Sequence, residues 1–116
     1  MTHRVVALAT LVLGLAVLAG CTGEKAVDSS PVATTTVDLP KSYRFEPAAI
    51  EVAAGATVSW TNHDDFTHNV TLDGESSLPM KPGETATHRF AEPGTYSYVC
   101  SLHPRDMQGT VVVHGG

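Results

Sequence analysis

From Val37 onward this sequence predicts an all-β fold, an antiparallel Greek-key sandwich of about six to seven short strands. Three observations carry that reading. Apolar and polar residues alternate with period two in several short runs. Turn-forming Gly and Pro separate those runs at regular intervals. No stretch between Val37 and His114 sustains the spacing of an amphipathic helix.

The elements follow in order. Tyr43 and Phe45 alternate with Arg44 and Glu46, and Ile50 and Val52 flank Glu51. Gly55 punctuates, after which Val58 and Trp60 alternate with Ser59 and Thr61. The polar run Asn62-His63-Asp64-Asp65-Phe66-Thr67 reads as a charged turn, and the next strand opens at His68 with Val70 and Leu72 on one face. Pro82-Gly83 and Pro93-Gly94 mark two further turns, with a strand ending at Phe90 between them. Tyr96, Tyr98 and Cys100 share one face of the next strand, and Val111 and Val113 share a face of the last.

The chain has 116 residues, enough for one domain. Its beginning is of another kind. Arg4 gives a short positive start, Val5 to Ala19 is almost unbroken apolar sequence, and Leu18-Ala19-Gly20-Cys21 follows. A run this short falls below the roughly 20 residues that span a bilayer, and it ends in small residues as signal segments do. The tetrad resembles a bacterial lipobox, which implies cleavage before Cys21 and lipid on that residue; the alternative is an uncleaved anchor helix. The expected organisation is residues 1–20 as signal peptide, 21–36 as lipidated Cys and flexible tether, and 37–116 as the folded domain. The tether lacks apolar periodicity and cannot offset its ordering entropy. With Cys21 carrying lipid, Cys100 is the one thiol left, so no internal disulfide is expected.

Composition removes several function classes. Seven Lys and Arg against twelve Asp and Glu give a net charge of -5, the wrong sign for binding nucleic acid. There is no P-loop, no GxGxxG and no CxxC pair, so phosphate cradles and the common zinc frameworks lack support.

The informative stretch is Cys100-Ser101-Leu102-His103-Pro104-Arg105-Asp106-Met107, a C-x2-H-x3-M loop between the last two strands. Thiolate, imidazole and thioether together suit a soft transition metal, and two His with one Cys and a distant Met form the ligand set of trigonal blue-copper sites. His68, at the head of its strand, is the best candidate for the second imidazole. Taken singly, Cys100 reads as a small buried hydrophobe and Met107 as core packing.

The domain resembles the cupredoxins, with the amicyanin and plastocyanin group as the best fit. Matching segments occur in order: Tyr43-Arg44-Phe45-Glu46-Pro47, Gly55 to Asn62 with Val58 and Trp60, His68-Asn69-Val70, Gly94 to Cys100, and Met107-Gln108-Gly109-Thr110-Val111. The resemblance implies one copper ion with His68, Cys100 and His103 as strong ligands and Met107 as a weak axial one. It also implies that Asn69 ties the His68 strand to the ligand loop near Ser101. In one respect the loop departs from that group: His103 to Met107 is a step of four, one longer than amicyanin-like loops and one shorter than plastocyanin-like loops, a spacing that azurin-like proteins share with a longer Cys-to-His gap. Met80, after Pro79, is expected to cap the end of the sandwich, although it is also a thioether within conceivable reach of the site. His63, His88 and His114 are expected in solvent, with His88 alternatively half-buried in its strand.

The expected function is electron transfer through one Cu(I)/Cu(II) centre, not catalysis, because such a ligand set leaves no open position for substrate. Val99 and Ser101 flank Cys100, so the His-Cys-His relay of multicopper oxidases is missing. Electrons would leave through the His103 imidazole edge, with Leu102, Pro104 and Phe66 as an apolar docking collar. The partners would be redox proteins, and the chain a monomer held by lipidated Cys21 on the extracytoplasmic face of a bacterial membrane. The alternative is a copper carrier or resistance protein using the same ligands without a redox shuttle.

Overall fold

The computed structural model describes residues 30–73 and 75–115. Two sheets pack face to face over an apolar core, as the alternating sequence requires. The nine strands of the described residues are β1 (Val32–Ala33), β2 (Thr36–Leu39), β3 (Ala49–Ala53), β4 (Ala56–Asn62), β5 (His68–Leu72), β6 (Leu78–Met80), β7 (Thr85–Phe90), β8 (Gly94–Val99) and β9 (Gln108–His114). One sheet runs β1-β3-β9-β8-β5-β6 and the other β2-β4-β7. The sandwich is the expected one, but its pairing is mixed: β1 with β3, β3 with β9 and β2 with β4 run parallel.

Period-two alternation places the core. Val58 and Trp60 of β4, Ile50 and Val52 of β3, Val70 and Leu72 of β5, and Val111 and Val113 of β9 all point inward and are buried. Trp60, fully buried, packs edge-on to Tyr98 with ring centroids 5.4 Å apart, and Phe45 meets the same Tyr98 at 4.8 Å. Truncating such an aromatic to alanine costs about 3–5 kcal/mol. Gly109 makes this packing possible: a Cβ there would lie 2.2 Å from Cζ of Tyr98, closer than any side chain tolerates.

Two expectations need correction. The ordered fold begins earlier than Val37, because β1 lies within the segment expected to be a tether and β2 starts at Thr36. β1 is exposed and gains its order from backbone pairing with Ile50 and Glu51, which composition does not reveal. Second, Tyr43 to Glu46 is not a strand. Only an isolated bridge joins Glu46 to Asp38, and Ser42 and Tyr43 hold left-handed φ values of 107° and 52°. Each such non-glycine residue costs about 1–3 kcal/mol of strain. Phe45 still enters the core, which is why the alternation looked strand-like. Residues 1–20, Cys21 and the first part of the tether lie outside the described residues.

Candidate metal centre

Three connections meet around one set of side chains: the β4–β5 turn, the β8–β9 loop and the loop leading into β3. Asn62, the last residue of β4, is fully buried and organises the first of these. Its Nδ2 donates to the carbonyls of Phe66 (2.7 Å) and Met80 (3.0 Å), and its Oδ1 accepts from the Asp64 amide at 2.9 Å. Each bond contributes about 1 kcal/mol net, and each would leave an orphaned buried group if lost. The turn therefore delivers His68 to a fixed place at the head of β5, where it is fully buried.

The β8–β9 loop closes on itself. Cys100 N–H donates to the Met107 carbonyl (3.1 Å), His103 N–H to the Cys100 carbonyl (3.0 Å) and Met107 N–H to the His103 carbonyl (2.9 Å). Tight turns of this kind bring residues 100, 103 and 107 toward one side. Cys100 and Met107 are fully buried and His103 is half-buried.

Donor atoms of His68, Cys100 and His103 all lie within 4.8 Å of one another. Sγ of Cys100 stands 3.8 Å from Nδ1 of His68 and 3.9 Å from Nδ1 of His103. These distances are long for hydrogen bonds but suit a shared ion. Metal–nitrogen and metal–sulfur bonds of about 2.0 and 2.3 Å at trigonal angles put N and S about 3.7 Å apart. The donor set thus fits a soft transition metal as it stands. No other group of three or more His, Cys, Asp or Glu side chains among the described residues is close enough to hold an ion.

The surroundings orient these donors. Nε2 of His68 donates to Oδ2 of Asp64 at 2.8 Å, which fixes the tautomer that turns the Nδ1 lone pair toward Cys100. That same bond holds the Asp64 carboxyl below the usual carboxylate range, outweighing the opposing effect of burial. The Asn69 amide donates to Sγ of Cys100 at 3.4 Å, an arrangement that favours negative charge on sulfur. Asn69 also bridges to the ligand loop: Nδ2 donates to Ser101 Oγ (2.8 Å), while Oδ1 accepts from the Ser101 amide (2.9 Å) and from Thr71 Oγ1 (2.9 Å).

Phe66 and Leu102 are 55% and 57% exposed; Leu102 and Pro104 flank the half-buried His103 in the chain, and Phe66 stacks on Tyr43, which packs against that imidazole. Met80 is fully buried opposite His68 in the β5–β6 ladder. His63 and His114 are exposed and pair with Asp38 and Glu51, and His88 is half-buried against Phe90. Asp64, read from the sequence as part of a charged turn, is 5% exposed and bonded to His68. The signal available was its position four residues before the histidine. Sequence reasoning also missed Tyr43, whose ring contacts both His68 and His103. Nothing local in the sequence announces that contact.

Comparison with known proteins agrees with this geometry. Residues 32–114 match the family described as copper binding proteins, plastocyanin/azurin family. Amicyanin-alpha of Methylorubrum extorquens is 34% identical over 96 residues, spanning 77% of this chain and 79% of the relative. Plastocyanin of Scenedesmus fuscus is 34% identical over 84 residues, covering 60% and 85% respectively. Among solved structures, a purple cupredoxin from Nitrosopumilus maritimus superposes with a TM-score of 0.60 at 28% identity, covering 70% of this chain and 100% of that one.

Proposed function

The chain belongs to the plastocyanin/azurin family of copper binding proteins, and from that membership we propose that it is a one-electron carrier working at the outer face of a bacterial membrane. Its cofactor is copper, one ion per chain. In this reading Nδ1 of His68, Sγ of Cys100 and Nδ1 of His103 would hold the ion as strong ligands, and the Met107 thioether would be a weak fourth. Copper held this way supplies a single-electron couple with little change in preferred geometry.

The observation that carries the reading is the donor triangle, 3.8 and 3.9 Å on its two sulfur–nitrogen edges. The chain's own residues orient and insulate it. Asp64 and Asn69 fix His68 and the sulfur, and burial of Cys100 and Met107 excludes water. Three strong donors and a thioether leave no vacant position, which argues against catalysis at the metal. His103 alone of the three donors reaches the surface, and the exposed Leu102 next to it in the chain, with the exposed Phe66 stacked on Tyr43, offers an apolar face for a redox protein. Export and lipidation at Cys21 are part of the proposal, supported by the Leu-Ala-Gly-Cys tetrad.

The test is to add Cu(II) to the metal-free domain and record visible absorption and voltammetry. An intense thiolate-to-copper band at one equivalent, with a reversible couple and fast electron self-exchange, is expected. A domain that binds copper without colour, or that cedes copper readily while exchanging electrons slowly, would instead identify a copper carrier.

A further inference from the structure

The two histidines of the donor triangle are held in different ways. His68 is fully buried, and its Nε2 is fixed by the Asp64 carboxylate at 2.8 Å. His103 sits on the exposed loop, and among the described residues its Nε2 has no hydrogen-bond partner. Apart from Nδ1, which faces Cys100, the ring is held by packing. The ring packed against it is Tyr43, centroid to centroid 4.6 Å and tilted by 57°. Tyr43 also presents an edge to His68 at 5.7 Å and 89°, and on its outer side stacks on Phe66 at 5.7 Å and 22°.

Backbone conformation points the same way. Ser42 and Tyr43 are consecutive non-glycine residues with left-handed φ values of 107° and 52°. Strain of this kind persists where the surroundings over-determine it, and it clusters at functional sites. The Lys41–Asp65 ion pair that joins the Tyr43 and Phe66 loops is too exposed to account for the conformation. What the strained backbone accomplishes is the insertion of an aromatic ring between Phe66 and the two imidazoles.

We propose that Tyr43 is a positioning residue of the metal centre, holding the His103 imidazole in its donor orientation by ring packing as Asp64 holds His68 by a hydrogen bond. The inference rests on the copper reading above. Locking the exposed ligand keeps its ring still when the charge at the site changes by one. The phenol hydroxyl has no part in this, so a phenyl ring serves equally.

The experiment compares wild type with Tyr43→Leu and Tyr43→Phe. Proton NMR of the Cu(I) protein reads the orientation of the His103 ring from NOEs between its carbon-bound protons and neighbouring residues other than Tyr43, and line broadening in Cu(I)/Cu(II) mixtures reads electron self-exchange. Tyr43→Leu is expected to change that NOE pattern, which loss of the tyrosine ring current alone cannot do, and to slow self-exchange about tenfold or more. Tyr43→Phe is expected to restore both. A Tyr43→Leu protein with the wild-type NOE pattern and wild-type self-exchange, even if it melts lower, overturns the proposal and leaves Tyr43 a packing residue. Failure of the copper reading shows itself separately, as a wild-type domain that takes up no copper. In that event the same NOE pattern in the metal-free wild type and Tyr43→Leu still decides whether the contact orients the ring.

Discussion

Oδ2 of Asp64 lies 2.8 Å from Nε2 of His68, and both side chains are buried, at 5% and 0% exposure. A carboxylate can only accept, so Nε2 carries the proton and Nδ1 is left as a free donor atom facing Cys100. One residue thereby selects the tautomer on which the whole triangle depends.

Removing that carboxylate should weaken the metal site without unfolding the sandwich. Asp64→Ala leaves a buried N–H unpaired, and copper affinity is expected to fall about 10- to 100-fold. Asp64→Asn should lose less, because an amide oxygen still accepts. Competition against a chelator of known affinity measures both; equal affinities for Asp64→Ala and wild type would refute the role.

Met107, not Met80, is expected to supply the axial sulfur. Met107 lies in the loop that already contributes Cys100 and His103, so its placement adds little closure entropy. Met107→Leu should keep the colour while raising the reduction potential, because loss of the thioether disfavours Cu(II). Met80→Leu should do little. Voltammetry of the pair settles it, and a rise confined to Met80→Leu reverses the assignment.

Burial pushes the Tyr98 phenol from 10.0 up to about 12. Between those values the unfolded chain releases a proton that the folded one retains. The stability tied to this group is therefore complete below about pH 10 and declines above it, by up to about 1.4 kcal/mol per pH unit. Tyr98→Phe should flatten that alkaline decline. Neutral-pH stability should change little, since the Tyr98 hydroxyl has no hydrogen-bond partner among the described residues. Denaturant melts across pH 8 to about 12 are the measurement, and parallel curves for the two proteins would contradict it.

Cys21→Ala should block lipid attachment and move the protein out of the membrane fraction or stall its processing. Stable anchoring needs more than one acyl chain, which lipobox modification supplies. Fractionation of cells expressing the variant checks this; normal processing with unchanged membrane association would show that Cys21 is not the anchor.

Much of the sandwich was legible because alternation is a direct record of which face is buried. Val58 and Trp60, or Val111 and Val113, could not sit otherwise. The donors were legible because Cys100 and His103 share one loop, and softness of ligand is written in residue type. The short strands β1 and β6 were not, since two or three residues held by backbone pairing leave no side-chain pattern. The run Tyr43 to Glu46 misled for the opposite reason: it alternates, but one residue turns to the core and another to the metal centre. Asp64 and Tyr43 act through contacts made only after the chain folds. Charge and aromaticity alone gave them ordinary surface and core readings.

The loop from Cys100 to Met107 is pinned at its neck by the Cys100–Met107 backbone bond, and just below it Val99 stays opposite Gln108 in the β8–β9 ladder. Beyond the neck, the backbone bonds at Cys100, His103, Asp106 and Met107 all close within the loop itself. A residue gained or lost between His103 and Met107 therefore alters the spacing of donors while every strand keeps its register. The ladder beneath thus carries the fold, and the eight residues from Cys100 to Met107 carry the donors, so the two can be altered one without the other.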